Sequence, residues 1–194
     1  MGLRFLAVAL LLVLPARTSA EWQVKPFAGV TLGGGTTFVA DLDHAAGSPK
    51  LAVGVNVLLL GDVFGVEADV GHTPGFFQAG DQQSLVLQSS VTTVTGNLVI
   101  AAPRDLTEYT IRPYVVGGAG LLRVVITDKA GIFPVNSRLL AVDIGGGATG
   151  FLTSRIGVNW DVRYFRSVGQ TELTFGVPEQ LSFWRAIMAL AIRY

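Results

Sequence analysis

The chain has 194 residues, half of them hydrophobic and 14% charged, with 24 glycines and no cysteine. A soluble domain ordinarily carries about a quarter charged residues. The even balance of 14 basic and 14 acidic residues, without a polybasic tract, argues against nucleic acid as a partner. The missing cysteine excludes disulfides and a lipid-bearing N-terminal cysteine.

At the start, Arg4 precedes the unbroken apolar run Phe5 to Leu14, and the small residues Thr18, Ser19 and Ala20 precede Glu21. This order predicts an export signal over 1–20, cleaved before Glu21. Ten apolar residues are too few for a helix to cross a bilayer, which takes about 20. A retained N-terminal anchor is the alternative reading. Removing Arg4 and Arg17 leaves 12 basic against 14 acidic residues, a net charge of −2.

Eight strands are predicted in the remainder, residues 21–194, read as one domain. They cover roughly Val24–Gly33, Lys50–Leu60, Val63–His72, Ser90–Ala102, Tyr109–Leu122, a hairpin within Leu139–Phe165, and Phe183–Tyr194. The hairpin carries the clearest signal. From Ile156 the even positions are Ile156, Val158, Trp160, Val162 and Tyr164, and the odd ones are Gly157, Asn159, Asp161 and Arg163. Alternation with period two marks a strand with one apolar and one polar face. Connections after odd-numbered strands are long, about 34–49, 73–89, 123–137 and 167–182, and those after even-numbered strands are short. An even number of strands with long loops on one rim and tight turns on the other predicts an all-β, eight-stranded antiparallel up-and-down transmembrane barrel. Its apolar faces meet lipid and both termini lie on the short-turn, periplasmic side.

Across the strands the charged residues collect on the polar face: Lys25, Glu67, Asp69, Arg112, Asp143, Arg155, Asp161, Arg163, Arg185 and Arg193. An eight-stranded barrel is just narrow enough for side chains to fill. These charges are therefore expected to pair and plug the lumen, with Arg112, Asp143, Asp161 and Arg163 near mid-depth. The other reading of the same set is a gated, narrow ion path. Phe64, Tyr109 and Tyr194 are expected at the short-turn rim, and Tyr164 and Trp184 at the other, as aromatic girdles. Trp160, near mid-strand, falls outside that scheme. Gly117, Gly118 and Gly120, with Gly145 to Gly147, are expected to provide bends and room for lumen side chains.

The segments FAGVTLGG, FGVEADVGHTPGFF, RPYVVGGAG and DIGGGATGFLTSRIGVNWDVRYF, with the terminal aromatic Tyr194, resemble the small eight-stranded outer-membrane barrels of the outer-membrane-protein-A-like and opacity-porin type. The resemblance spans residues 21–194 and implies residence in the outer membrane of a Gram-negative-type bacterium. It implies outer-membrane lipid as surroundings and the barrel-insertion machinery, which reads a terminal aromatic, as an assembly partner. No peptidoglycan-binding domain after the last strand is expected.

Chemistry has few candidates. His44 lies near Asp41 and Asp43, but its Ala-Gly-Ser-Pro surroundings make a poor metal cage. His72 and Thr73 have no serine partner in sequence for a lipid hydrolase. Neither a metal nor a cofactor is expected. Phe76, Phe77 and Phe133 in the long connections point to packing on the rim or to a surface ligand. The expectation is a non-enzymatic barrel with a structural or surface-interaction role. The alternatives are a narrow channel for ions or small solutes, a lipid-modifying enzyme, and a soluble carrier with apolar residues facing inward.

Overall fold

The structure is a computed structural model and describes residues 20–36, 48–77, 86–103, 111–128, 135–168 and 180–194. The expected signal segment, His44 with Asp41 and Asp43, Tyr109 and Phe133 lie outside them. Eight strands follow in order: β1 Glu21–Thr36, β2 Lys50–Leu60, β3 Phe64–Pro74, β4 Val86–Ala101, β5 Arg112–Asp128, β6 Val135–Phe151, β7 Ile156–Ser167 and β8 Leu181–Arg193. Each pairs antiparallel with its neighbour in sequence, and β1 pairs with β8, closing the barrel. Closure leaves no unpaired sheet edge.

Facing follows the residue alternation. In β7, Gly157, Asn159, Asp161 and Arg163 are buried, while Ile156, Trp160 and Val162 are exposed. The barrel is therefore apolar outside and polar inside through its middle, the reverse of a soluble carrier with an apolar interior.

Several strands run further than predicted, β4, β5 and β6 by the most. β4 begins at Val86, β5 continues to Asp128 and β6 begins at Val135, so much of the expected 123–137 connection is strand. From Arg123 the outward face turns polar, which in sequence resembles a loop. The alternation itself does not stop: Leu122, Val124, Ile126, Leu139 and Ala141 are buried inside, while Arg123, Asn136 and Arg138 are exposed outside. Toward the long-connection end the barrel thus becomes apolar inside and polar outside, as any sheet does where water rather than lipid surrounds it.

At the opposite end the turns are tight. The amide of Gly61 donates to the carbonyl of Phe64 at 2.9 Å. Thr153 Oγ1 accepts from the amides of Arg155 (3.3 Å) and Ile156 (3.0 Å), closing the β6–β7 turn.

Candidate functional site

The lumen holds three stacked layers, and the middle one is ionic. Glu67 and Asp69 come from β3, Asp143 from β6, Asp161 and Arg163 from β7, Lys25 from β1 and Arg185 from β8, all buried. Arg163 is the hub. Its Nε and Nη2 donate to the two oxygens of Asp161 at 2.7 and 2.8 Å, and its Nη1 lies 2.7 Å from Glu67 Oε1. Asp143 and Asp69 stand at 3.9 and 4.0 Å from the same nitrogen. Lys25 Nζ pairs with Glu67 Oε2 at 3.3 Å.

Arg185 sits directly across from Arg163 in the β7–β8 register. Like charges so placed repel, and the layer answers by giving each its own acid. Arg185 takes Asp69 at 2.6 Å and also donates to Thr93 Oγ1 at 3.2 Å. Its guanidinium lies between the rings of Phe27 and Phe165, 4.8 and 4.7 Å from their centroids. Such stacking suits the planar, weakly hydrated guanidinium.

Neutral groups complete the layer. Tyr114 donates to Asp161 Oδ2 at 2.6 Å, and the two amide hydrogens of Asn159 are shared among Tyr114 Oη (3.0 Å), Thr149 Oγ1 (2.9 Å) and the Ala148 carbonyl (3.1 Å). With amides oriented by their neighbours' needs, Asn97 donates to Asp143 at 3.0 Å and accepts from Arg163 at 2.9 Å, and Asn56 donates to Asp69 at 2.6 Å. Glycines clear the space. A Cβ at Gly145 would stand 2.8 Å from Arg163 Cγ, and one at Gly147 would stand 2.6 Å from Tyr114 Oη.

Above this layer, toward the long connections, the lumen is filled by carbon. Phe76, Phe77, Val91, Leu122, Val124, Leu139, Phe165, Leu181 and Phe183 form one buried cluster. Phe165 stacks on Phe183 with centroids 5.1 Å apart, and Phe76 meets Phe183 edge-on at 5.2 Å. Gly75 adopts φ +65°, a turn that suits a residue without Cβ. Just after it, Phe76 and Phe77 lie buried within the cluster rather than packing on the rim. The amide of Phe77 donates to Ser89 Oγ at 2.9 Å.

Below the ionic layer lie Leu58, Leu60, Val99, Ala101, Tyr114 and Val116, beside a water-sized space of about 10 Å³.

Three of the expected lumen charges stand outside the ionic layer, Arg112 being buried at the lower end of the same lumen. Arg112 is not at mid-depth: it opens β5 at the short-turn end and donates to the carbonyls of Ala102 (2.9 Å) and Asp62 (2.6 Å), holding neighbouring turns together. Arg155 is exposed in the turn between β6 and β7, because the strand begins one residue later than its alternation suggests. Arg193 is at the barrel's lower rim, paired with Glu21 at 3.3 Å and donating to the Ser154 carbonyl.

Of the girdle aromatics, Phe64 and Tyr194 are 71% and 80% exposed at the short-turn end, joined by Trp22 at 53%. Tyr164 and Trp184 sit side by side toward the other end, ring centroids 5.1 Å apart. Trp160 faces outward between Ala148 and Met188.

On the outer surface His72 Nδ1 lies 2.9 Å from Thr92 Oγ1. Among the described residues no carboxylate orients the other ring nitrogen, so the pair lacks the third member of a hydrolytic constellation. No group of three metal-ligating side chains occurs among the described residues either.

No protein-family model matches the chain, and no curated protein matches it in sequence. In structure it is similar to Neisserial surface protein A, with a TM-score of 0.62 over 90% of this chain and 97% of that one at 8% identity. It is also similar to the outer membrane protein OprG from Pseudomonas aeruginosa, with a TM-score of 0.54 over 92% and 97% at 16% identity. A major outer membrane protein from Thermus thermophilus gives 0.53 over 91% and 100% at 14% identity. At such identities the likeness is one of fold. The chain has the fold of the small eight-stranded outer-membrane barrels.

Proposed function

We propose that the protein resides in the outer membrane of a Gram-negative-type bacterium, exported by a cleaved signal segment over 1–20, and acts there as a closed, non-catalytic barrel. Its lumen carries no steady flux, and its long connections present a surface for interaction outside the cell. The observation that carries this reading is the double seal of the lumen: an ionic layer centred on Arg163 beneath an apolar layer centred on Phe165 and Phe183. Eight strands enclose only enough room for side chains, which supports a lumen closed to hydrated ions. The exposed Val66, Val94, Leu98, Val115, Ile144 and Val162 form the outer belt that lipid requires. Lipid is thus its surroundings, and the barrel-insertion machinery is its partner during assembly.

Recording from the purified protein in a planar bilayer tests the seal. The expected trace is flat at moderate voltage. Large, stable single-channel steps would replace the sealed reading with the narrow-channel one. Mass spectrometry of lipid A from cells with and without the protein tests the absence of catalysis, and a lost acyl chain that depends on the protein would overturn it.

A further inference from the structure

The charges of the ionic layer do not balance. Lys25, Arg163 and Arg185 stand among Glu67, Asp69, Asp143 and Asp161, all buried, so the acids outnumber the cations by one. Among the described residues the remaining strands bring no further charge to this level. β2, β4 and β5 supply Asn56, Asn97 and Tyr114, which are neutral donors to Asp69, Asp143 and Asp161.

The shortfall falls on Asp143. Glu67, Asp69 and Asp161 each meet a guanidinium nitrogen at 2.7, 2.6 and 2.7 Å. Asp143 Oδ2 stands 3.9 Å from Arg163 Nη1, beyond hydrogen-bond distance. That nitrogen has two hydrogens, and they are taken by Glu67 at 2.7 Å and Asn97 at 2.9 Å. Across the sheet Asp143 lies opposite Gly118 and Phe165, whose side chains offer no donor. Its Oδ1 accepts from Asn97, while Oδ2 is buried without a partner, as is Asp69 Oδ1.

An ionised carboxylate so placed would be a buried charge without an ion pair, a state that proteins avoid by neutralising the group. Whatever neutralises it must take almost no room in a lumen filled by side chains. We infer that the layer holds one proton, carried on Asp143 Oδ2, with Asp69 Oδ1 as the acceptor the layer offers it. The proton leaves the layer with equal numbers of positive and negative groups. The middle seal is then also a proton-holding site, filled in acid and emptied in alkali. This goes beyond the sealed-barrel reading and needs only the closed lumen.

Infrared spectroscopy of the purified, folded chain at neutral pH should show the carbonyl stretch of a protonated carboxyl. The band should move in deuterium oxide and with carbon-13 at the aspartate side-chain carboxyl, and be absent from Asp143→Asn. No such band in the unmodified protein, or a band that survives Asp143→Asn, overturns the assignment. Urea midpoints against pH give an independent reading. The unfolded chain ionises this aspartate above about pH 4, while the folded barrel keeps it neutral. The folded state then binds the extra proton, so the stability it confers is complete below that pH and is lost as pH rises. Asp143→Asn has the shape of the neutral acid and does not titrate. Relative to it, the unmodified protein should lose about tenfold in folding equilibrium constant per pH unit from about pH 5 to 7. A flat difference, or the opposite slope that an ionised, paired acid gives, overturns the proton. Exchanging sodium for N-methylglucamine should change neither reading. A midpoint that needs sodium, without the band, would assign the site to a metal cation and overturn the proton. Should Asp143→Asn fail to fold, the band of the unmodified protein and its carbon-13 shift decide.

Discussion

At the scale of single residues, the ionic layer behaves as a unit whose members are worth more together than singly. Arg163 serves Asp161 and Glu67 at hydrogen-bond distance with no exposure to solvent. Replacing it with methionine keeps the volume but leaves carboxylates buried without their cation. The expected cost is about 3–5 kcal/mol, as for other buried pairs broken on one side, read as a shift in the urea midpoint of the barrel folded in vesicles. Substituting Asp161 with asparagine in the same chain should recover part of that loss, because it removes one of the stranded charges. An additive result in the double variant would show that the layer is not coupled. Asn159 matters despite its neutrality: its two amide hydrogens are shared among Tyr114, Thr149 and the Ala148 carbonyl, so its replacement by alanine should cost about 1–3 kcal/mol.

At the scale of the strand, the inversion of facing along the barrel sets what a given outward position tolerates. Val162 lies on the apolar belt of β7, and Val168 lies six residues further along the same outward face, just past the strand's end and beyond the naturally exposed Arg166. Val162→Arg should destabilise the folded barrel by about 2–4 kcal/mol and Val168→Arg by less than about 1 kcal/mol, following the depth dependence of charge on a barrel's lipid face. Equal costs at the two positions would show that the belt is misplaced. The closing strand is a further test of the same element-level logic. β8 pairs over most of its length with both β7 and β1. Deleting Leu181 to Tyr194 would expose both edges where lipid offers no hydrogen bonds. No insertion into vesicles is expected for that form, and normal heat-modifiable insertion would show that closure does not need β8.

At the scale of the whole molecule, two unlike seals lie in series along one narrow lumen. Weakening the ionic one by Asp161→Ala leaves the Phe76, Phe77, Phe165 and Phe183 layer intact. Removing Phe77 leaves the ionic layer intact in turn. Each single variant should stay closed in a planar bilayer, while Asp161→Ala with Phe77→Ala should show brief openings. Openings in the Asp161→Ala protein alone would mean that the apolar layer does not seal. The same vertical order explains the outside of the molecule. Where the lumen turns from ionic to apolar, the outer wall turns from apolar to cationic.

Strand number, antiparallel order, facing and the identity of the inward acids are all legible in the chain itself. Each depends on period two and on turn spacing, which are local properties. The reach of β4, β5 and β6 was hidden because the outward residues Arg123, Asn136 and Arg138 look like loop once the apolar face is expected to continue. Only the closed structure separates Arg163 and Arg185, buried in the ionic layer, from Arg112 and Arg193, which hold the turns at the lower end, and Arg155, which faces water. Parity assigns a side chain to the lumen but not to a height, and height in a tilted, closed sheet is set by the cumulative register of all eight strands. The inward turn of Phe76 and Phe77 likewise depends on a space that exists only after closure. For the same reason Tyr114 on β5, two strands from Asp161 on β7, reaches over β6 to become its hydrogen-bond donor.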